Sequence, residues 1–283
     1  MRKFEKVIDS NHNQKKVLLD VRFKESGVQK PVIIFVHGFK GFKDWGHFNL
    51  IADYFANKGF IYVKLNFSHN GTTPEHPMDF VDLEAFGNNN FTKELDDLGT
   101  VIDYVFSSEI EIPPGEINLE KVYLIGHSRG GGAVILKADE DARVKGVATW
   151  AAVDHLAFRA TEPILRQWKA EGVQYVYNGR TKQNMPLYYQ IVEDFLRNES
   201  RFNIERAMKN MKQPLIAFHG TNDAAVPLSA VENLQKWNPT VRVEIVKNAN
   251  HTFGGKHPYE EDLLPMDSQF IAEKTGLFFN EEV

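Results

Sequence analysis

Gly126-His127-Ser128-Arg129-Gly130 follows directly on the apolar run Val122 to Ile125 and leads through Gly131 and Gly132 into a helical pattern. A serine set between glycines on a sharp strand-to-helix turn is held in a strained backbone conformation. The glycines leave room for the turn and for an approaching substrate. The helix that follows directs its N-terminal amides and the positive end of its dipole at the same point. Ser128 is therefore the candidate nucleophile. The 283 residues contain no cysteine, which excludes structural disulfides, thiolate metal sites and a thiol nucleophile together.

A serine hydroxyl near neutral pH needs a base, and the base needs an acid to orient it. Among ten histidines, His251 is the best placed, in Asn248-Ala249-Asn250-His251-Thr252-Phe253, just beyond the apolar run Val241 to Val246. His127, one residue from the serine on a tight turn, is expected to face elsewhere, and His257 is a fallback. The acid expected is Asp223, where the run from Leu215 enters a Gly-containing loop; an Asx-turn is its other use. Asp154, after the run Val144 to Trp150, is the rival, although it could equally cap a helix. A tetrahedral intermediate requires donors aimed at its oxygen. The N–H groups chosen are those of Arg129, the residue after the serine, and of Phe39 in His37-Gly38-Phe39-Lys40-Gly41. Gly38 permits close backbone approach, and His37 supports the loop.

These residues must be brought together by a larger frame. Short β-branched runs at Val32 to Val36, Ile61 to Phe67, Val122 to Ile125, Val144 to Trp150, Leu215 to Phe218 and Val241 to Val246 have the length of buried strands. Helical periodicity lies between them, over Phe48 to Phe55 and Leu95 to Phe106, after Gly130, and over Ser268 to Phe279. Ser229 with Glu232 resembles a capping box opening one more helix. Strand and helix alternate, which predicts an α/β fold with a mostly parallel sheet covered on both faces. Lys3 to Ile8 and Lys16 to Phe23 have no helix between them and predict an antiparallel hairpin on the sheet edge.

The alternation breaks between Asp154 and Gln213, so the chain divides into a core of 1–153 with 214–283 and an insertion of 154–213. Within the insertion, Val173 to Val176 and Thr181 to Leu187 flank Asn178-Gly179, a hairpin turn signal, with helical patterns on either side. It reads as a lid over the strand ends or as a surface excursion. Its aromatics Trp168, Tyr175, Tyr177, Tyr188, Tyr189 and Phe195 would line an acyl pocket or form the lid's own small core.

His-Gly-Phe after the third strand, Gly-His-Ser-Arg-Gly, Gly-Thr-Asn-Asp and the late Asn-His together resemble the α/β-hydrolase superfamily across nearly the whole chain. Within it the chain is most similar to bacterial serine esterases of the cinnamoyl or feruloyl type and to serine aminopeptidase-like hydrolases. The resemblance implies Ser128, Asp223 and His251 as nucleophile, acid and base, and Phe39 with Arg129 as the oxyanion-hole positions. The segment Ser68-His69-Asn70-Gly71-Thr72 departs from the Gly-His-Gly that many relatives carry, which bears on acyl specificity. Three readings follow. The first is a carboxylic ester hydrolase for small to medium hydrophobic or aromatic acyl groups; the second is a peptidase of aminopeptidase or acyl-peptide type, for which Glu193-Asp194 or Glu162 would meet the substrate amine. The third is a catalytically silent binding protein.

Composition narrows the partners. Lys plus Arg at 33 against Asp plus Glu at 38 leaves a net charge of -5, with no basic block to track phosphates, so nucleic acid is not expected. No run approaches the roughly 18 apolar residues that span a bilayer, and Met1 to Ser10 lacks the apolar stretch of a signal peptide. A soluble, cytoplasmic protein acting on a small-molecule ester is expected; the oligomeric state is open, a homodimer being one option. The absence of His-Glu-x-x-His, Walker and Gly-x-Gly-x-x-Gly motifs agrees with chemistry that uses neither metal nor organic cofactor.

Overall fold

In the computed structural model, which describes residues 1–12, 14–157 and 160–281, the apolar runs become the strands of one eight-stranded sheet. Positions 158–159 of the expected insertion and 282–283 of the expected core lie outside the described residues. The strands are β1 (Arg2–Asp9), β2 (Lys16–Phe23), β3 (Lys30–Val36), β4 (Ile61–Asn66), β5 (Ile117–His127), β6 (Val144–Trp150), β9 (Leu215–Gly220) and β10 (Arg242–Val246), in the spatial order β1-β2-β4-β3-β5-β6-β9-β10. From β4 to β10 every pairing is parallel, whereas β1 with β2 and β2 with β4 are antiparallel, as the missing helix between the first two segments predicts.

Side chains alternate across a strand, and the sheet uses both faces. Val32, Ile34 and Val36 of β3 enter one apolar layer with Val122 and Leu124 of β5. Ile33 and Phe35 enter the opposite layer with Tyr123 and Ile125. Helices α3 (Phe91–Phe106) and α4 (Arg129–Glu140) cover the first layer, and α1 (Phe48–Asn57) and α9 (Met266–Glu281) the second. Burying one such side chain contributes about 1.5–3 kcal/mol, so the layers hold the strand ends in fixed register. A short helix, α2 (Leu83–Gly87), capped by Asp82 accepting from the Ala85 N–H, has no counterpart in the periodicity reading. Among the described residues no helix is long and apolar enough to cross a membrane.

Between β6 and β9 come α5 (Glu162–Glu171), β7 (Val173–Asn178), β8 (Gln183–Tyr188), α6 (Gln190–Arg197) and α7 (Ile204–Asn210), with β7 and β8 forming a separate antiparallel pair. Two local expectations need correction. Asn178 pairs with Gln183, so the hairpin loop holds four residues and its positive φ falls on Lys182, not on an Asn-Gly turn. The Asn178 Oδ1 instead accepts the Arg180 N–H at 3.1 Å and so shapes the loop. Ser229 is the first residue of α8 (Ser229–Trp237), not its cap; Leu228 holds that position and no side chain caps the helix.

Candidate active site

Four loops at the carboxyl ends of β3, β5, β9 and β10 carry the residues singled out by their chemistry. Ser128 stands between β5 and α4 with φ 57° and ψ −122°, a conformation that costs an ordinary residue about 1–3 kcal/mol. Hydrogen bonds hold it there: its N–H donates to the Trp150 carbonyl at 2.9 Å, and its own carbonyl accepts from the Gly131 N–H at 2.9 Å. The turn closes because neither flanking glycine has a side chain. A Cβ on Gly126 would lie 2.3 Å from the Gly130 carbonyl oxygen, and one on Gly130 would lie 2.4 Å from that of Val36.

At the β9 end, Asp223 turns its carboxyl inward, 1% exposed. Its Oδ1 accepts the N–H groups of Ala225 and Val226 at 2.8 and 2.9 Å, and its Oδ2 lies 2.8 Å from the His251 Nδ1. The Asx-turn and the imidazole contact therefore coexist, one on each oxygen. Burial pushes this carboxyl up, but the hydrogen bonds from His251 and the two amides outweigh it and leave it below the ordinary carboxylate range. An ionised carboxylate only accepts, so the His251 Nδ1 carries a hydrogen toward Asp223, and Nε2 is the ring nitrogen left to exchange a proton. From below, the buried His219 donates to the Val226 carbonyl at 3.0 Å and sits 3.5 Å from the same Oδ2. Asp154 is engaged elsewhere, with His155 Nδ1 at 2.6 Å and Asn233 Nδ2 at 2.7 Å. The fallback base His257 accepts the Gly46 N–H at 2.8 Å and packs on Trp45, and among the described residues no carboxylate is hydrogen-bonded to its ring.

After β3 the chain passes beneath the serine: a Cβ on Gly38 would lie 2.8 Å from that of Ser128. His37 is buried and bonds the Gly38 carbonyl through Nδ1 at 2.8 Å; burial pushes its pKa down to about 4, so it is a neutral prop. The Arg129 amide, first of α4, has no intrahelical acceptor. Its guanidinium packs 4.5 Å from the Phe39 ring centroid and 5.8 Å from that of Phe91, and donates to Glu94 at 2.5 Å. One residue thus joins the two loops that carry the expected oxyanion donors.

Ser128 and His251 line one cleft of about 250 Å³, together with Gly38 and Phe39, the aromatic walls Trp45 and Phe48, Asn178 at the end of β7 and Arg180 from the β7–β8 loop. His127 lines it too, contrary to the expectation that it faces away. Its Nε2 lies 2.9 Å from the His251 carbonyl oxygen and its ring 4.9 Å from the His251 ring, while burial pushes its pKa down to about 3. Among the described residues the insertion's aromatics do not line this cleft. Trp168 is buried and bonds the Leu187 carbonyl, Tyr188 bonds Glu84, Phe195 packs with Phe91 and Phe202, and Tyr175 and Tyr177 are 63% and 57% exposed. Trp45, Phe48, Asn178 and Arg180 were not legible as lining residues, since nothing in their spacing ties them to Ser128.

The sequence profile of the prolyl oligopeptidase family matches residues 46–277. No curated protein matches the chain in sequence. Among solved structures, Est1E of Butyrivibrio proteoclasticus, determined with ferulic acid bound, is similar with a TM-score of 0.72 at 16% identity over 98% of both chains. The esterase domain of a Rhodothermus marinus protein gives 0.65 at 18% identity, again over 98% of both. A candidate dipeptidyl aminopeptidase IV from Bacteroides ovatus gives 0.66 at 13% identity, covering 100% of this chain and 36% of that one. At these identities the likeness is one of fold, and the fold is the α/β-hydrolase fold.

Proposed function

The chain belongs to the prolyl oligopeptidase family and is a hydrolase of the α/β class; from that premise we propose that it cleaves carboxylic esters by a serine acyl-enzyme mechanism. In this reading His251 Nε2 takes the Ser128 proton as Oγ attacks the acyl carbonyl. Asp223 holds the imidazole and stabilises its cationic form, and the Phe39 and Arg129 amides bind the oxyanion. Collapse breaks the carbonyl–alkoxy bond, and the imidazolium returns its proton to the departing alcohol. Water, deprotonated by the same Nε2, then adds to the acyl carbon and releases the acid together with the free serine. The acyl group of this reading is small to medium and hydrophobic or aromatic, held against Phe39, Trp45 and Phe48. Residues 154–213 serve as a cap, reaching the cleft through the β7–β8 loop.

The observation that carries the proposal is the pairing of His251 Nδ1 with the buried carboxyl of Asp223 at 2.8 Å, in a loop whose imidazole shares a cleft with a Ser128 of positive φ. A serine peptidase is the second reading, favoured by the family itself. Recognition of a free N-terminus needs carboxylates near the nucleophile, and the three considered are elsewhere: Asp194 accepts the Thr92 N–H and hydroxyl, while Glu193 and Glu162 are exposed and line no part of the cleft. A silent binding protein is disfavoured because every position needed for the chemistry is filled.

Turnover of short aryl esters beside aminoacyl anilides, with fluorophosphonate labelling of the same preparation, tests the reading. Ester turnover with labelling at Ser128 is expected. Anilide cleavage exceeding ester cleavage would transfer the assignment to the peptidase, and failure of turnover and labelling together would leave only a binding role.

A further inference from the structure

Arg180 is a half-buried cation set at the edge of the serine cleft. Its guanidinium packs against two phenyl rings that meet edge to face, 5.2 Å from the centroid of Phe42 and 5.5 Å from that of Phe80. Its position is built, not incidental. Asn178 Oδ1 bonds its backbone N–H, Gln183 Nε2 ties the far side of the loop to the Phe80 carbonyl, and Met185 buries with Phe42 and Phe80 beneath it. Among the described residues no carboxylate lies within ion-pairing distance of it, and its Nη2 is buried with no hydrogen-bonding partner in the protein. Asp79 acts on it only at longer range; burial lowers its pKa and that charge offsets the effect in part.

An unpartnered polar group held away from water is costly, about 1–3 kcal/mol and more for a charged one. A neutral side chain at this loop position would not incur that cost. The cleft the guanidinium borders has a matching electrostatic character: Lys40 also lines it, and no Asp or Glu is among its lining residues. With Nη2 buried, the remaining in-plane N–H groups of a guanidinium that lines the cleft are the ones left for a ligand, and an ionised carboxylate is their strongest acceptor.

We infer that the substrate is an ester carrying a second, ionised carboxylate, and that Arg180 with Lys40 holds that carboxylate while the ester carbonyl lies over Ser128. This rests on the serine-esterase reading above and supplies its substrate class. The apolar walls then take the intervening carbon frame, and the charge fixes which end of the molecule enters.

The test compares neutral and anionic esters of equal shape on the full chain: an aryl glutarate monoester against the aryl glutaramate, and 4-acetoxybenzoate against 4-acetoxybenzamide. The two pairs put the carboxylate on the acyl side and on the leaving-group side. In at least one pair the anionic ester should be favoured by about tenfold or more in kcat/KM, the range of a charged hydrogen bond. Arg180→Met should bring that ratio close to one, mainly through KM, and Arg180→Lys should restore part of it. Should Arg180→Met fail to fold, benzoate and benzamide as competitors of neutral-ester hydrolysis by the unaltered protein serve instead, with benzoate expected to bind more tightly. Neutral esters cleaved as well as anionic ones in both pairs, or a ratio untouched by Arg180→Met, would overturn the inference and leave the esterase reading standing. Absence of any ester turnover and of Ser128 labelling would overturn the esterase reading itself.

Discussion

The Nε2–H of His127 donates to the main-chain carbonyl of His251 across 2.9 Å, so the residue before the candidate nucleophile holds the loop of the candidate base. A carbonyl can only accept, which fixes the His127 hydrogen on Nε2, and the depressed pKa keeps the ring neutral through the working pH range. The elbow motif therefore contributes more than Ser128: its second residue couples the end of β5 to the loop after β10. Replacing His127 with Phe removes the donor and should lower kcat by about 10–100-fold with KM little changed, because misplacement of the base acts on the chemical step. His127→Gln, which keeps an N–H within reach, should recover part of the loss. Steady-state kinetics on one aryl ester decides it: a KM effect with kcat intact would mean that His127 serves the pocket and not the loop.

Two aspartates competed for the acid role on sequence grounds, and only Asp223 contacts the imidazole of His251. Asp223→Asn should reduce kcat by about 10⁴ by leaving Nδ1 without its anionic partner, whereas Asp154→Asn should change it less than about threefold. Ser128→Ala should remove turnover and fluorophosphonate labelling while the thermal unfolding midpoint stays near that of the parent. An Asp223→Asn protein that retains most of its activity would count against the triad.

How these residues became legible follows from where the signals lie. Ser128, Asp223 and His251 each follow an apolar run by a few residues, and strand ends of a parallel sheet converge on one edge, so spacing along the chain translated into proximity. The strands themselves were readable because β-branched residues run in blocks bounded by glycine and polar loops. Arg180 gave no such sign. It reaches the cleft by way of a hairpin that is not part of the main sheet, and the packing of Met185 with Phe42 and Phe80 that positions it joins segments more than a hundred residues apart. The aromatic insertion shows the opposite failure, since Trp168 and Phe195 are drawn into contacts with Leu187 and with Phe91 and Phe202, while the cleft takes its walls from Trp45 and Phe48 on the main core. The Ser229-x-x-Glu232 pattern misled by one residue because the helix begins at the serine and leaves it no N-terminal amides to cap.

The close approach of the β3 loop to the elbow gives a steric test of the oxyanion assignment. A methyl at position 38 would lie 2.8 Å from the Ser128 Cβ and 3.1 Å from the His127 carbonyl oxygen, both backbone-anchored neighbours. Gly38→Ala should therefore displace the Phe39 amide and lower kcat by about 10²–10³, the loss expected for one oxyanion donor. A conservative change in the same loop, Lys40→Arg, should leave kcat for a neutral ester within a few fold. Equal losses in both variants would assign the effect to loop folding instead of to the donor.

Acid should destabilise the fold well before its carboxylates protonate. His37, His47 and His69 are buried, and burial, the largest cause at each, pushes their pKa values down to about 4. Ser268 spends its hydroxyl hydrogen on the Phe253 carbonyl at 2.7 Å and accepts from His47 Nε2 at 2.7 Å, so a second proton on His47 would sit on an Nδ1 that is buried without a partner. His37 Nε2 is in the same position. Between the unfolded value of about 6.5 and the folded value near 4 the unfolded chain binds protons that the folded chain refuses. The contribution is thus complete above pH 6.5 and is lost as the pH falls through that window, at most about 1.4 kcal/mol per pH unit for each histidine and about 4 for the three together. Urea unfolding at pH 7.5, 6, 5.5 and 5 should show this loss, and His47→Gln should reduce the slope by roughly one histidine's share. A stability unchanged from pH 7.5 to 5 would mean that these rings are already protonated in the fold, or find partners on protonation.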